Sequence, residues 1–218
     1  MSKYTFPLLG KHISLRLVEL SDAAFIYALR SDKKAKFLTQ ITGGISSQEQ
    51  WIAAYKKREA LGEEFYFIIE SLEGQSLGTI RIYDFKQDSF CWGSWLIKDS
   101  APAYVGIESA LCIYGFAFNV LGFRQSHFDV RKSNIKVVAF HQRCKAKIAR
   151  EDSINYYFIF SKEDFALMKR HYAKYCYSNI SQSDISGGGG IYVLICPYTK
   201  IPQILQTAFI YGELKLCA

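Results

Sequence analysis

The sequence predicts a mixed α/β domain built on a mostly antiparallel, twisted sheet flanked by helices. Three observations lead there. An alternating strand pattern near the N-terminus is followed by two segments of helical periodicity. Three strand-like runs then succeed one another across short turns, as an antiparallel meander does. Beyond them, helical and strand patterns alternate to about residue 178.

Element by element, His12-Ile13-Ser14-Leu15-Arg16-Leu17 alternates polar and apolar residues and reads as a half-buried strand. Ser21 is placed to cap a helix whose apolar face carries Phe25, Ala28 and Leu29. Ser46 with Glu49 three residues on has capping-box spacing ahead of Trp51, Ile52 and Tyr55, and Gly62 follows as a stop. A second helix is therefore expected over about 47–61. The meander strands are Phe65 to Glu70, Leu77 to Phe85 and Phe90 to Ile97, divided by Glu73-Gly74-Gln75 and Lys86-Gln87-Asp88. Val105, Ile107, Leu111, Tyr114 and Phe118 keep helical spacing from Tyr104 to Phe118, and Gly122 closes that segment before a strand from Gln125 to Arg131. A helix from Asn134 to Arg143, a strand pair over about 147–160 and a helix capped at Ser161-Lys162-Glu163-Asp164 complete a domain placed at 1–178.

Residues 179–190 are polar, end in four glycines and have linker composition. The apolar tail 191–218 lacks clear periodicity and is open to three readings: an added strand, a self-association segment serving a homodimer, or a poorly ordered end. Gly187 to Gly190 lacks a following Lys-Ser/Thr, so it is no phosphate-binding P-loop.

Composition narrows the function. Half of the residues are apolar and 22% are charged, enough for one sizeable core. No apolar run approaches the roughly 18 residues of a membrane span, and Met1-Ser2-Lys3-Tyr4 opens no signal-peptide core, so a cytoplasmic, membrane-free protein is expected. Cys91, Cys112, Cys144, Cys176, Cys196 and Cys217 form no C-x-x-C pair, which argues for reduced thiols and no bound metal. A formal charge of +7 suits a polyanionic partner: nucleic acid, a phosphorylated cofactor or a nucleotide sugar. The aromatic residues do not single out nucleic acid, because Tyr66, Phe67, Tyr156, Tyr157 and Phe158 lie in strands where core or groove packing is the simpler account. His127 and Asp129 share one strand face and can pair, but no G-x-S-x-G elbow supports a hydrolase triad.

Two segments carry a family resemblance. Trp92-Gly93-Ser94-Trp95-Leu96-Ile97 through Gly106-Ile107-Glu108-Ser109-Ala110-Leu111 looks like the cofactor-binding segment of the GNAT superfamily of N-acetyltransferases. Phe128-Asp129-Val130-Arg131-Lys132-Ser133-Asn134 with Phe140-His141-Gln142-Arg143 resembles the second conserved segment of its ribosomal-protein and amino-sugar branches. The resemblance implies a GNAT-like fold, acetyl-CoA as donor, and transfer of an acetyl group to a primary amine by direct attack on the thioester.

It also implies site residues. Trp95, Leu96, Ile97, Tyr104, Val105, Gly106, Ile107, Ser109, Asn134 and Phe140 fall where the family holds its cofactor. The pyrophosphate loop departs from pattern: in Ala101-Pro102-Ala103-Tyr104-Val105-Gly106 only Gly106 is kept, so Tyr104 must turn its side chain away. Asn134 is equally an N-cap. His141 occupies the position of the tyrosine that protonates the leaving thiolate in related enzymes, and reads either as that acid or as a helix-face structural histidine. Asp84 and Glu70, near strand ends, are the candidate carboxylate bases, although such acids are usually solvated. Lys33, Lys34 and Lys36 border the acceptor groove of GNAT-like folds.

The acceptor expected is a small-molecule amine, with a nucleotide-linked amino sugar favoured by the second segment. A protein N-terminus and a non-catalytic acyl-CoA-binding or RNA-docking module are the alternatives.

Overall fold

The computed structural model describes residues 4–38, 43–176 and 193–194. Strands β1 (Leu8–Leu9) and β2 (Ile13–Leu17) precede helices α1 (Ala23–Ser31) and α2 (Ile45–Ala60). The meander is β3 (Phe65–Ser71), β4 (Ser76–Lys86) and β5 (Ser89–Ile97). Helix α3 (Tyr104–Gly115) runs on as a π-helical turn, Phe116–Val120, and crosses over to β6 (Gln125–Arg131). Then come α4 (Ile135–Arg143), β7 (Lys147–Glu151), β8 (Asn155–Ser161), α5 (Lys162–His171) and a two-residue strand β9 (Val193–Leu194).

These strands form one sheet in the order β7-β8-β6-β5-β4-β3-β2-β1-β9. Pairing is antiparallel except between β5 and β6 and between β1 and β9. Each face buries its own core. Phe65, Phe67, Ile80, Ile82, Phe90, Trp92, Phe128 and Phe158 pack beneath Val105, Ile113, Tyr114 and Phe116, and α3 is buried on nearly all sides. On the opposite face Val18, Tyr66 and Ile68 meet Ala23 and Ile26 of α1 and Ile52 and Tyr55 of α2. Each such side chain, fully buried, contributes about 1.5–3 kcal/mol.

The strand positions follow the sequence reading closely, whereas the first two helix starts do not. Ser21 caps nothing. It lies in a 3₁₀ turn, Leu20–Asp22, and Asp22 takes the Glu19 N–H at 2.8 Å and both Arg16 Nη atoms at 2.7 and 2.8 Å. The side chain with the strongest local cation, not the nearest serine, sets the turn. The buried face of α1 is accordingly Ala23 and Ile26, with Phe25 and Leu29 half-buried and Ala28 exposed. The expected Ser46–Glu49 box is also absent: α2 starts two residues earlier, at Ile45, with Gly44 at its N-cap and no side-chain cap.

Other local signals act as written. Gly62 has φ +73°, and its N–H and that of Glu63 close the end of α2 on Glu59 and Arg58 carbonyls at 2.9 and 3.0 Å. Ser161 and Asp164 make the reciprocal box that opens α5. Linker 179–190 lies outside the described residues, as does the tail apart from Val193–Leu194.

Candidate active site

Strands β5 and β6 pair only at Ser89–Gln125 and Phe90–Ser126. Beyond that apex β5 stays with β4 and β6 stays with β8, so the sheet forks and β5 has no strand partner on its β6 side from Cys91 to Ile97. The backbone of β5 is also bulged there: Ser94 and Trp95 together oppose Ile80, between the pairs Thr79–Leu96 and Arg81–Gly93. Ser94 adopts φ +49°, and the Thr79 hydroxyl donates to its carbonyl at 2.8 Å. Such a bulge re-aims main-chain groups out of the ladder. Gly78 makes the close approach possible, since a Cβ there would stand 2.3 Å from the Leu96 carbonyl oxygen.

Helix α3 begins beside the open end of the fork. A Cβ on Gly106 would lie 3.6 Å from both Ile97 Cδ1 and Trp95 Cζ2. Trp95 Nε1 donates to Ser109 Oγ at 3.1 Å, and that hydroxyl donates to the Gly106 carbonyl at 3.1 Å. Trp95 also meets Phe140 of α4, with ring centroids 5.0 Å apart. The residues expected to hold a cofactor on β5, α3 and α4 are thus brought together, with Leu96 and Val105 buried in the wall and Ile97, Ile107 and Asn134 half-buried. Tyr104 turns its ring onto His12, 4.9 Å away. Asn134 precedes α4 at the N-cap position, and its side chain makes no cap bond.

The acid–base candidates separate. His141 is 4% exposed and sits among Trp92, Phe128, Phe140 and Phe158, with ring centroids 4.3 to 5.7 Å from it. Its Nδ1 has no partner among the described residues, and burial pushes its pKa down to about 3. Of the two readings of His141, this environment favours the structural one, because burial holds the ring in its neutral form at pH 7. Glu70 lies on β3, two strands from β5, and accepts Arg16 Nε at 2.9 Å. The fold does not bring it to the fork.

Asp84 is at the fork's apex. It has φ +52°, and its Oδ2 accepts Lys86 Nζ at 2.7 Å and His127 Nε2 at 3.0 Å. Lys86 first, then His127, holds its carboxyl below the usual range. His127 therefore pairs with Asp84, not with Asp129 of its own strand, and its Nδ1 lies 2.6 Å from Ser89 Oγ. Nothing in the linear order signals this trio, whose members come from β4, β5 and β6. Nearby, Arg81 stacks on Tyr83 at 4.2 Å and lies 5.4 Å from the Trp51 ring centre.

Chemically, an unpaired strand edge can accept an extended, amide-bearing chain as it would another strand. A helix N-terminus at its open end can receive phosphate oxygens. A forked sheet with a bulged strand and a helix at its mouth therefore offers an extended, phosphate-bearing ligand both of these contacts. Residues 12–147 match the model of the acetyltransferase (GNAT) domain, and the chain belongs to this family of N-acetyltransferases, whose usual donor is acetyl-CoA.

Among solved structures, apo FdhC, a nucleotide-linked sugar GNAT, is 45% identical, with a TM-score of 0.73 over 79% of this chain and 99% of its own. Two others share the fold at low identity. Spermidine N-acetyltransferase from Vibrio cholerae, in complex with CoA and spermine, is 14% identical, covering 71% of this chain and 98% of its own with a TM-score of 0.61. A GCN5-related N-acetyltransferase from Brucella melitensis is 13% identical, covering 78% and 85% with a TM-score of 0.64. No curated protein sequence gives a significant match. Among the described residues, no helix is long and apolar enough to cross a membrane.

Proposed function

We propose that this acetyltransferase acetylates the primary amine of an amino sugar carried on a nucleotide. The observation that carries the reading is the 45% identity to a nucleotide-linked sugar GNAT, spread over 79% of the chain. The net charge of +7 and the Arg81–Tyr83–Trp51 stack beside the bulge suit a phosphorylated acceptor.

In this reading the donor's phosphates meet the first turn of α3 at Tyr104–Gly106, and its pantetheine arm adds to the free edge of β5 alongside Trp95, Leu96 and Ile97. Val105, Ile107, Ser109, Asn134 and Phe140 complete or support that wall. When bound, the donor supplies an acyl group activated as a thioester. A main-chain N–H at the bulge polarises the thioester carbonyl, which is worth most in a dry, preorganised site. The amine, held in line, attacks it directly. The amine proton leaves on the side of the fork where Asp84 lies. His141 acts here as an apolar packing group, because a neutral buried imidazole at pH 7 has no imidazolium proton to give.

Calorimetry with acetyl-CoA and CoA, followed by thiol release with nucleoside-diphosphate amino sugars, polyamines and peptide N-termini, tests the reading. Micromolar donor binding, about 8 kcal/mol, with turnover confined to the amino sugars is expected. Preferred turnover of a polyamine or a peptide overturns the acceptor, and binding without any turnover marks a non-catalytic acyl-CoA module.

A further inference from the structure

His127 is the first residue of β6 beyond the last β5–β6 pair, so its side chain stands where the fork opens. It lies on the sheet face opposite α3, because its neighbours Ser126 and Phe128 are buried towards the other side. Both ring nitrogens have partners: Asp84 Oδ2 at 3.0 Å from Nε2, and Ser89 Oγ at 2.6 Å from Nδ1. A carboxylate only accepts, so in the neutral ring Nε2 carries the hydrogen and Nδ1 keeps the lone pair, taking the hydrogen of the Ser89 hydroxyl.

The arrangement depends on an uncommon backbone. Asp84 reaches Nε2 from a left-handed conformation, φ +52°, at the point where the β4–β5 register shifts between Tyr83 and Lys86. Non-glycine residues are uncommon there, and Asp is among the few that tolerate it. The other titratable or charged groups around this face are Arg81, Tyr83 and Lys86 of β4, Cys91 of β5, Asp129 and Arg131 of β6, Tyr157 of β8 and Lys147 and Arg150 of β7. Asp129 is exposed, and Cys91 is a buried thiol whose pKa burial pushes up to about 11. Among these groups His127 alone has a carboxylate at one ring nitrogen and a hydroxyl at the other.

We propose that His127 is the general base of the acyl transfer, with Asp84 as its positioning residue and Ser89 as the hydroxyl through which the amine proton reaches Nδ1. This rests on acyl transfer taking place at the fork, as set out above. The amine nitrogen forms the new C–N bond while the thioester C–S bond breaks. The amine proton passes to Ser89 Oγ as the Ser89 hydroxyl proton passes to Nδ1, giving an imidazolium held by Asp84. The same path returns a proton to the departing sulfur, so amine and thioester become amide and thiol with no net proton change.

The test uses the full chain and its His127→Gln and Asp84→Asn variants. General bases typically contribute 10²–10⁴-fold, so kcat of H127Q should fall by about that factor, with KM for acetyl-CoA unchanged and the acid limb of the pH–rate profile lost. In D84N the loss is smaller, because the ring keeps its place beside Ser89 but loses the carboxylate that orients Nε2. A variant H127Q with wild-type kcat, or one whose defect lies in KM while the acid limb stays, overturns the proposal. If the wild-type protein turns over none of the amines, the acceptor reading fails and His127 is judged separately by imidazole NMR. Ring resonances of His127 that respond to acetyl-CoA but not to CoA uphold its place at the acyl end, and identical responses to the two overturn it.

Discussion

The indole N–H of Trp95 donates to the Ser109 hydroxyl at 3.1 Å, tying the bulged strand β5 to the first turns of α3 across the mouth of the fork. Ser109 is fully buried and passes the connection on to the Gly106 carbonyl. Replacing Ser109 by Ala leaves the indole N–H without that partner, at a cost of about 1–3 kcal/mol. Urea denaturation should show that loss, and calorimetry should show weaker acetyl-CoA binding, since the two walls of the proposed donor site are no longer held together.

Gly106 allows stability and binding to be separated. A methyl group there meets Ile97 and Trp95 at 3.6 Å, an ordinary contact, and alanine is the better helix former by about 0.5–1 kcal/mol. Gly106→Ala should therefore keep or slightly raise the melting temperature while weakening acetyl-CoA binding, because the methyl occupies space next to main-chain donors that phosphate must approach. A Kd equal to that of the wild type would remove Gly106 from the phosphate site.

Gly78 offers no such room. Its Cβ would stand 2.3 Å from the Leu96 carbonyl oxygen, a backbone atom that cannot step aside without moving the bulge. Gly78→Ala is expected to cost about 1–3 kcal/mol. It should also lower kcat, because the N–H groups at Gly93–Trp95 shift with the strand. Chemical denaturation and steady-state kinetics on the same preparation check both effects.

His141 gives the stability curve a defined acid limb. Burial depresses its folded pKa to about 3, whereas the unfolded chain protonates an imidazole near its ordinary value of about 6.5. The unfolded state therefore binds the extra proton first. This contribution to stability is fully present above pH 6.5 and is lost as pH falls from about 6.5 towards 3, by an amount on the order of 3–5 kcal/mol. In His141→Phe that part of the pH dependence should disappear, so the loss of stability from pH 7 to pH 4 is smaller than in the wild type. Turnover at pH 7 should be kept, and a large loss of kcat with intact donor binding would restore the acid role to this residue.

What could be read along the chain was local. The strand from Gln125 to Arg131, the meander strands to within a residue or two, the Gly62 stop and the Ser161–Asp164 box all depend on neighbours within about four positions, where periodicity and capping chemistry act. The starts of α1 and α2 were less legible because the deciding group was not the nearest one. Arg16, on a preceding strand, selects Asp22 and bypasses Ser21. The wall of Trp95, Leu96, Ile97 and Gly106 was legible through resemblance, since it lies on two consecutive elements.

By itself the sequence determined the class of fold, the order of its elements and the family-like segments, because these are properties of hydrophobic period and short motifs. Only the tertiary structure decided which ionisable groups meet and which are silenced. His127 finds Asp84 and Ser89 across separations of 43 and 38 residues, through a fork and a left-handed aspartate that no local pattern encodes. Glu70 is drawn off by Arg16, and His141 is enclosed by four aromatic rings. The physical reason is common to all three. Acid–base character depends on solvent exclusion and on the charges within a few ångströms, and both are set by the packing of the whole sheet.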